Sequence, residues 1–333
     1  MKLASYVTAV DAKVRLGAVV DLGGQRHLLD LVAAHARAPA RDSHAPAALP
    51  ADMRLLLDMG EAGLDAARSV LAFAAYELAD PSTVSAWKVE GLIQPEDEVR
   101  LLAPVPRPGK IIMVGSNYKS HVTEAGPAAR KLPAARAEKH SWPAAFSKFP
   151  SVLVGHNDAI VYPRHTAQLD YEAELCVVIG KRGKDISEAD ADRVIAGYTI
   201  ANDVSMRDVQ FAEMRRGLIL IGKNFDTSSP MGPYLVTKDE IPDPQNVQIK
   251  CWVNGELRQD DSTANMIFSV RQLVSYFSRV SLEPGDIIGT GTPAGVGIFW
   301  DPPEAALLRV GDRIDITIDP IGRLSNTVVA ELG

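Results

Sequence analysis

Strand-like apolar runs fill the last two-thirds of this 333-residue chain, an Ala-rich helix and short strands fill the first third, and a proline cluster separates them. These three observations point to an α+β, mostly β protein in which a small N-terminal α/β unit precedes a larger β-rich one. The length exceeds the usual single-domain size, so two units are expected.

In the first unit, residues 1–103, the alternation Val14-Arg15-Leu16-Gly17-Ala18-Val19-Val20 reads as a strand, Gly23-Gly24 as a turn, and residues 64–78 as a helix stopped before Pro81. Its histidines, His27, His35 and His44, lack ligand spacing, which makes the unit structural. The boundary is Pro104-Val105-Pro106-Arg107-Pro108-Gly109, where three prolines in five residues favour a stiff extended connection. Residues 104–333 form the second unit.

That unit opens with the apolar run Ile111-Ile112-Met113-Val114, a strand that breaks at Gly115. His121 and Glu124, three apart, then share one helical turn, where the carboxylate can orient or charge the imidazole. This is a general-base dyad in outline, although the same spacing also fits an ordinary surface pair. The irregular, charged segment that follows, about residues 125–150 and including Arg130, Lys131, Arg136 and Trp142, has the length and position of a lid.

Asp170-Tyr171-Glu172-Ala173-Glu174-Leu175 continues into Cys176-Val177-Val178-Ile179. Strand alternation puts Glu172, Glu174, Cys176 and Val178 on one face and Tyr171, Ala173, Leu175 and Val177 on the other. Two carboxylates that point the same way repel unless a positive group lies between them, and a hard divalent cation answers that need. A solvated edge strand would carry the same glutamates. A third carboxylate, Asp203, ends the strand-like run from Ala196, with Ser205 expected as the N-cap of a following helix and Asp208 at its capping-box position. Arg207 and Gln210 then project together from the first turn of that helix.

Composition sets outer limits. A net charge of −7 without a basic, aromatic-interleaved cluster argues against nucleic acid and anionic membranes, while a bound cation would still admit small anionic substrates. Cys176 and Cys251 lie in apolar runs and read as buried free thiols. No signal-peptide core opens the chain and no stretch is apolar enough to span a bilayer, so a cytoplasmic location is expected. Gly289-Thr290-Gly291-Thr292-Pro293-Ala294 matches a dinucleotide fingerprint, but Pro293, Gly295 and Gly297 continue as loop and no helix opens there. A tight loop whose N–H groups and Thr292 hydroxyl approach a carboxylate fits better.

The ordered set of strings resembles the fumarylacetoacetate hydrolase family. It comprises Val114-Gly115-Ser116-Asn117-Tyr118 with His121 and Glu124, Phe146-Ser147-Lys148 with Ser151, the Asp170-to-Leu175 run, and Asn202-Asp203-Val204-Ser205 with Arg207, Asp208 and Gln210. Gly222-Lys223-Asn224-Phe225-Asp226-Thr227, Pro230-Met231-Gly232-Pro233, Val253-Asn254-Gly255-Glu256, Met266-Ile267-Phe268 and the run from Pro284 to Gly297 complete it. The resemblance spans about residue 110 to the C-terminus. It implies a mixed β-sheet roll, usually dimeric, with Mg²⁺ or Mn²⁺ (Ca²⁺ as a third candidate) held by Glu172, Glu174 and Asp203. It also implies substrate contacts from Tyr118, Arg207, Gln210 and Thr292. Where animal members carry a further aspartate this chain has Val114, which puts it with the three-carboxylate branch of acylpyruvate hydrolases, oxaloacetate decarboxylases and isomerase/decarboxylases of aromatic catabolism.

On that basis the leading expectation is hydrolysis of a carbon–carbon bond in a 2,4-dioxo acid such as an acylpyruvate or fumarylpyruvate. His121, held by Glu124, activates water, while Lys223, Arg207 and Gln210 hold the carboxylate or oxyanion. The alternatives are an oxaloacetate-type decarboxylase, a tautomerising isomerase of 2-hydroxy-diene-dioates, and, in another class, a metal-dependent binding protein without catalysis.

Overall fold

The computed structural model describes residues 1–38, 48–125 and 142–332. A twelve-stranded mixed sheet runs through the protein. Its main path passes in order through Ile93–Pro95, Gln25–Asp30, Asp11–Leu22, Lys2–Thr8, Ser229–Thr237, Ile195–Asn202, Ala173–Ile179, Ile287–Gly289, Ile111–Gly115 and Ala144–Lys148. A second sheet of five strands comprises Glu256–Ser262, Gln248–Val253, Arg313–Ile318, Gly322–Ala330 and Ala159–Tyr162. The α+β, β-dominated architecture expected from the sequence is the one found.

The N-terminal strands extend the same sheet as the C-terminal ones, because Leu3 pairs with Leu235 and Lys2 with Val236. The strand expected at 14–20 lies within Asp11–Leu22, and Gly23 and Gly24 turn it back with φ of 64° and 84°, a conformation glycine adopts without a Cβ penalty. The Ala-rich helix spans Glu61–Glu77, and Pro81 opens the next helix, Pro81–Val89, at its first turn, where a missing N–H costs nothing. No regular element occurs between Leu101 and Ile111, as the proline cluster requires.

Two hydrophobic clusters sandwich the large sheet. Ala173, Leu175, Val177 and Ile179 pack with Ile249, Cys251, Ile314, Ile316 and Val328 of the five-stranded sheet. Cys176 and Val178, on the opposite face of the same strand, pack with Met113, Ala201 and Ile287 toward the helical layer that includes Leu64, Ala67 and Val70. The two-residue alternation read from the sequence therefore divides this strand between two cores. Both cysteines are buried and free. Among the described residues, no helix is long and apolar enough to cross a membrane.

Of the segment 125–150 expected to form a lid, Ala144–Lys148 is an edge strand antiparallel to Ile111–Gly115. Trp142 is exposed. Arg130, Lys131 and Arg136, like His44, lie outside the described residues.

Candidate metal and catalytic centre

The site forms where the strand Ala173–Ile179 and its neighbour Ile195–Asn202 end side by side. Ala173 pairs with Asn202, and just beyond this last rung the Asn202 carboxamide oxygen accepts from the Glu172 N–H at 3.0 Å. The Asp203 N–H donates to the Glu172 carbonyl at 2.9 Å, so the two chains leave the sheet in a fixed relation. Glu172, Glu174 and Asp203 are all buried, and each offers one carboxylate oxygen within 4.8 Å of the others. An all-oxygen donor set of three carboxylates fits a hard divalent cation.

Electrostatics divide the triad, leaving Glu174 short of positive charge while Glu172 and Asp203 already meet cationic side chains. Burial, then the charges of Asp203 and Glu172, push the Glu174 carboxyl well above its ordinary range, and its one side-chain hydrogen bond among the described residues comes from Gly291 N–H at 3.0 Å. Burial also opposes ionisation of Glu172, yet Lys223 and Arg207, with a smaller contribution from His121, hold its carboxyl down at about 2. The Lys223 ammonium donates to Glu172 Oε2 at 2.9 Å and to Asp203 Oδ2 at 2.8 Å. Arg207 Nη1 lies 2.6 Å from Glu172 Oε1, and its Nε donates to Asp170 Oδ2 at 2.8 Å. Its Nη2 is buried without a partner.

The dyad is formed as its spacing predicts. In the helix Lys119–Glu124, His121 Nδ1 is 2.7 Å from Glu124 Oε1, and the imidazole packs against Phe299 with ring centroids 5.8 Å apart. The other Glu124 oxygen accepts from Gly295 N–H at 2.7 Å. Gly295 belongs to the glycine-rich loop after Ile287–Gly289, and this one loop also supplies Gly291 N–H to Glu174 and Gly297 and Ile298 N–H to Asp170, at 2.8 and 3.1 Å. Loop amides therefore do approach carboxylates, and the carboxylates are the protein's own. Gly291 has φ of 91°, and a Cβ there would come within 2.9 Å of Asn117 Cβ. Glycine is needed at this turn.

The remaining expected residues have defined places. Gln210 Oε1 accepts from Arg207 Nη1 at 3.0 Å, so Gln210 orients the guanidinium. Thr292 Oγ1 accepts from Gln259 Nε2 at 2.8 Å. Tyr118 is fully buried and caps the helix that carries the dyad. Val114 is buried in the main core. Ser205 is not the N-cap: it pairs with Asp170 as a short bridge, its hydroxyl donates to the Asp203 carbonyl, and the helix Arg207–Met214 starts after Met206 without a side-chain cap. Asp208 instead accepts from the Thr166 hydroxyl and the Ala167 N–H.

Four residues at the site were not singled out from the sequence. Asp170 receives Arg207 and three backbone amides. Lys148 donates to Asp203 Oδ1 at 2.7 Å. Gln259 accepts from Ala173 N–H and donates to Thr292. Asn117 ties Phe268 to the Thr290 carbonyl. Asp170, Lys148 and Asn117 lie within the quoted strings and Gln259 three residues beyond one, but a buried polar residue declares its purpose only through partners distant in sequence.

A family profile described as Fumarylacetoacetate (FAA) hydrolase C-terminal matches residues 110–329. The chain belongs to the fumarylacetoacetate hydrolase family. Within it, the chain is 47% identical over 234 residues to oxaloacetate tautomerase YisK of Bacillus subtilis, covering 69% of this chain and 73% of that one. It superposes on the fumarylacetoacetate hydrolase of Exiguobacterium antarcticum with a TM-score of 0.72 at 32% identity, covering 99% of this chain and all of that one. The 2-hydroxyhepta-2,4-diene-1,7-dioate isomerase of Mycobacterium marinum gives a TM-score of 0.68 at 28% identity with both chains fully covered. In this member of the fumarylacetoacetate hydrolase family, Glu172, Glu174 and Asp203 could hold a metal ion.

Proposed function

We propose that this protein interconverts the enol and keto forms of an oxaloacetate-like 2-oxo dicarboxylate, with Mg²⁺ or Mn²⁺ held by Glu172, Glu174 and Asp203. The observation that carries this reading is the His121–Glu124 pair beside the triad. Glu124 engages Nδ1 and leaves Nε2 as the atom that exchanges a proton. Tautomerisation needs one proton moved between the substrate's carbon and its oxygen, and a single imidazole in fixed orientation can take it from one and return it to the other. The likeness to the Bacillus subtilis oxaloacetate tautomerase supports the assignment.

A bound divalent cation would withdraw electrons from a chelated 2-oxo carboxylate and favour loss of a proton from the adjacent carbon. The chain's own groups do the rest. The unpartnered Nη2 of Arg207 is a donor for a substrate carboxylate, and Gln210 and Asp170 hold its plane. Lys223 places a positive charge beside developing negative charge on oxygen. Phe299 shields one side of the imidazole from water.

A second reading adds water to the same groups and cleaves a 2,4-dioxo acid. The Exiguobacterium antarcticum hydrolase, at 32% identity, supports it. The two are separated by supplying the Mg²⁺-loaded protein with enol oxaloacetate and, separately, with an acylpyruvate in H₂¹⁸O. Faster decay of the enol signal without CO₂ or pyruvate release is expected. Label appearing in a released carboxylic acid, with no effect on enol decay, would replace the tautomerase reading by the hydrolase. Rapid CO₂ release would replace it by a decarboxylase.

A further inference from the structure

We propose that Lys148 sets the metal preference of the triad by occupying one oxygen of Asp203, an inference that rests on the cation reading above. Lys148 closes the edge strand Ala144–Lys148, where it pairs with Ile111, and its side chain is wholly buried. The ammonium donates to Asp203 Oδ1 at 2.7 Å and to the Ser228 carbonyl at 2.7 Å. Buried lysines are rare unless paired, and this one lies outside the proton-transfer dyad.

Its position is firmly held. The Phe149 N–H donates to Asn224 Oδ1 at 2.6 Å and the Asn224 amide returns a bond to the Ser147 carbonyl at 3.0 Å, which laces the strand end to the turn carrying Lys223. Lys148 thus stays at Oδ1, while Asp203 Oδ2 faces Lys223 and Glu172. Each Asp203 oxygen accepts one ammonium, but Lys223 shares Oδ2 with Glu172, a second prospective ligand. A cation at the triad would therefore meet Asp203 from the Oδ2 side, and Lys148 on Oδ1 would oppose its engaging both oxygens.

Denticity discriminates between hard cations. Mg²⁺ demands near-octahedral geometry with short bonds and keeps several waters, which suits single-oxygen carboxylates, whereas Ca²⁺ takes six to eight oxygens and readily accepts bidentate ones. Capping Oδ1 therefore disfavours Ca²⁺ relative to Mg²⁺. Lys148 acts through Asp203 and is a positioning residue.

The test is calorimetric titration of the full-length wild type, Lys148→Met and Lys148→Arg with Mg²⁺ and with Ca²⁺, with circular dichroism confirming the fold. Lys148→Met is expected to shift the ratio of the two affinities toward Ca²⁺ by on the order of tenfold or more, the scale of effect that groups orienting a ligand exert. Lys148→Arg, which keeps a donor at Oδ1, is expected to hold the wild-type ratio. If the methionine variant fails to fold, Lys148→Gln, too short to reach Asp203 yet still polar, carries the same expectation. A ratio unchanged in a folded variant that still binds Mg²⁺ would overturn the role of Lys148 and leave the cation reading standing. A wild type that binds neither ion would overturn both.

Discussion

Replacing Asp170 by Asn removes a negative charge where Arg207 meets the glycine-rich loop. Each carboxylate oxygen of Asp170 accepts two donors: Oδ1 from the Tyr171 and Gly297 amides, Oδ2 from Arg207 Nε and the Ile298 amide. Whichever way an asparagine amide turns, its NH₂ faces two donors in a fully buried site. With the NH₂ at the Oδ2 position the Arg207 and Ile298 bonds are lost, and with it at the Oδ1 position the Tyr171 and Gly297 bonds are lost. In either case Arg207 loses its charged partner at Asp170, so the cost is about 3–5 kcal/mol, the range for breaking a buried ion pair. At about 2.1 cal/mol/K per residue the unfolding entropy of this chain is about 0.7 kcal/mol/K, which converts the cost into a Tm lowered by about 4–7 °C. None of the three proposed metal ligands is altered, so Mg²⁺ affinity by calorimetry should stay near wild type, while kcat/KM falls by at least on the order of tenfold as Arg207 loses its anchor. A Tm within a degree of wild type, together with unchanged kcat/KM, would refute the reasoning.

Glu174→Gln is expected to abolish measurable Mg²⁺ binding in a protein that stays folded, because the amide keeps the Gly291 hydrogen bond and loses the charge; calorimetry with unchanged affinity would exclude Glu174 as a ligand. His121→Ala should remove turnover yet leave binding of oxalate nearly intact, since oxalate would meet the cation and Arg207 rather than the imidazole; a near-wild-type kcat would make the pair structural. Away from the site, burial and then the charges of Arg313 and Arg26 lower the His156 pKa to about 4, so between pH 6.5 and 4 the unfolded chain binds a proton that the native state refuses. Stability should fall through that window by at most about 3 kcal/mol, and His156→Asn should flatten the fall in urea titrations across pH.

What could be read from the chain was what depends on near neighbours. Glu172 and Glu174 share a face because a strand alternates, and His121 meets Glu124 because a helix brings i and i+3 together, so both features survive folding as written. Ser205 shows the opposite case. Its side chain suits a helix cap, but pairing of its backbone with Asp170 turns it into a bridge residue and sends its hydroxyl to Asp203. Lys148 and Asp170 acquire their roles across separations of 55 and 127 residues, through strand order and the return of the glycine-rich loop. No local pattern encodes which edge strand will lie beside which ligand.

Because one loop grips Glu174, Glu124 and Asp170 through neighbouring backbone amides, these three carboxylates share a single frame of reference. A displacement of that loop would therefore act on Glu174, on the Glu124 that meets His121 and on the Asp170 that meets Arg207 together. The same arrangement makes the loop intolerant of piecemeal change, since a substitution meant to reshape one contact displaces the other two. Efforts to reshape the site would therefore do better to leave residues 289–298 untouched.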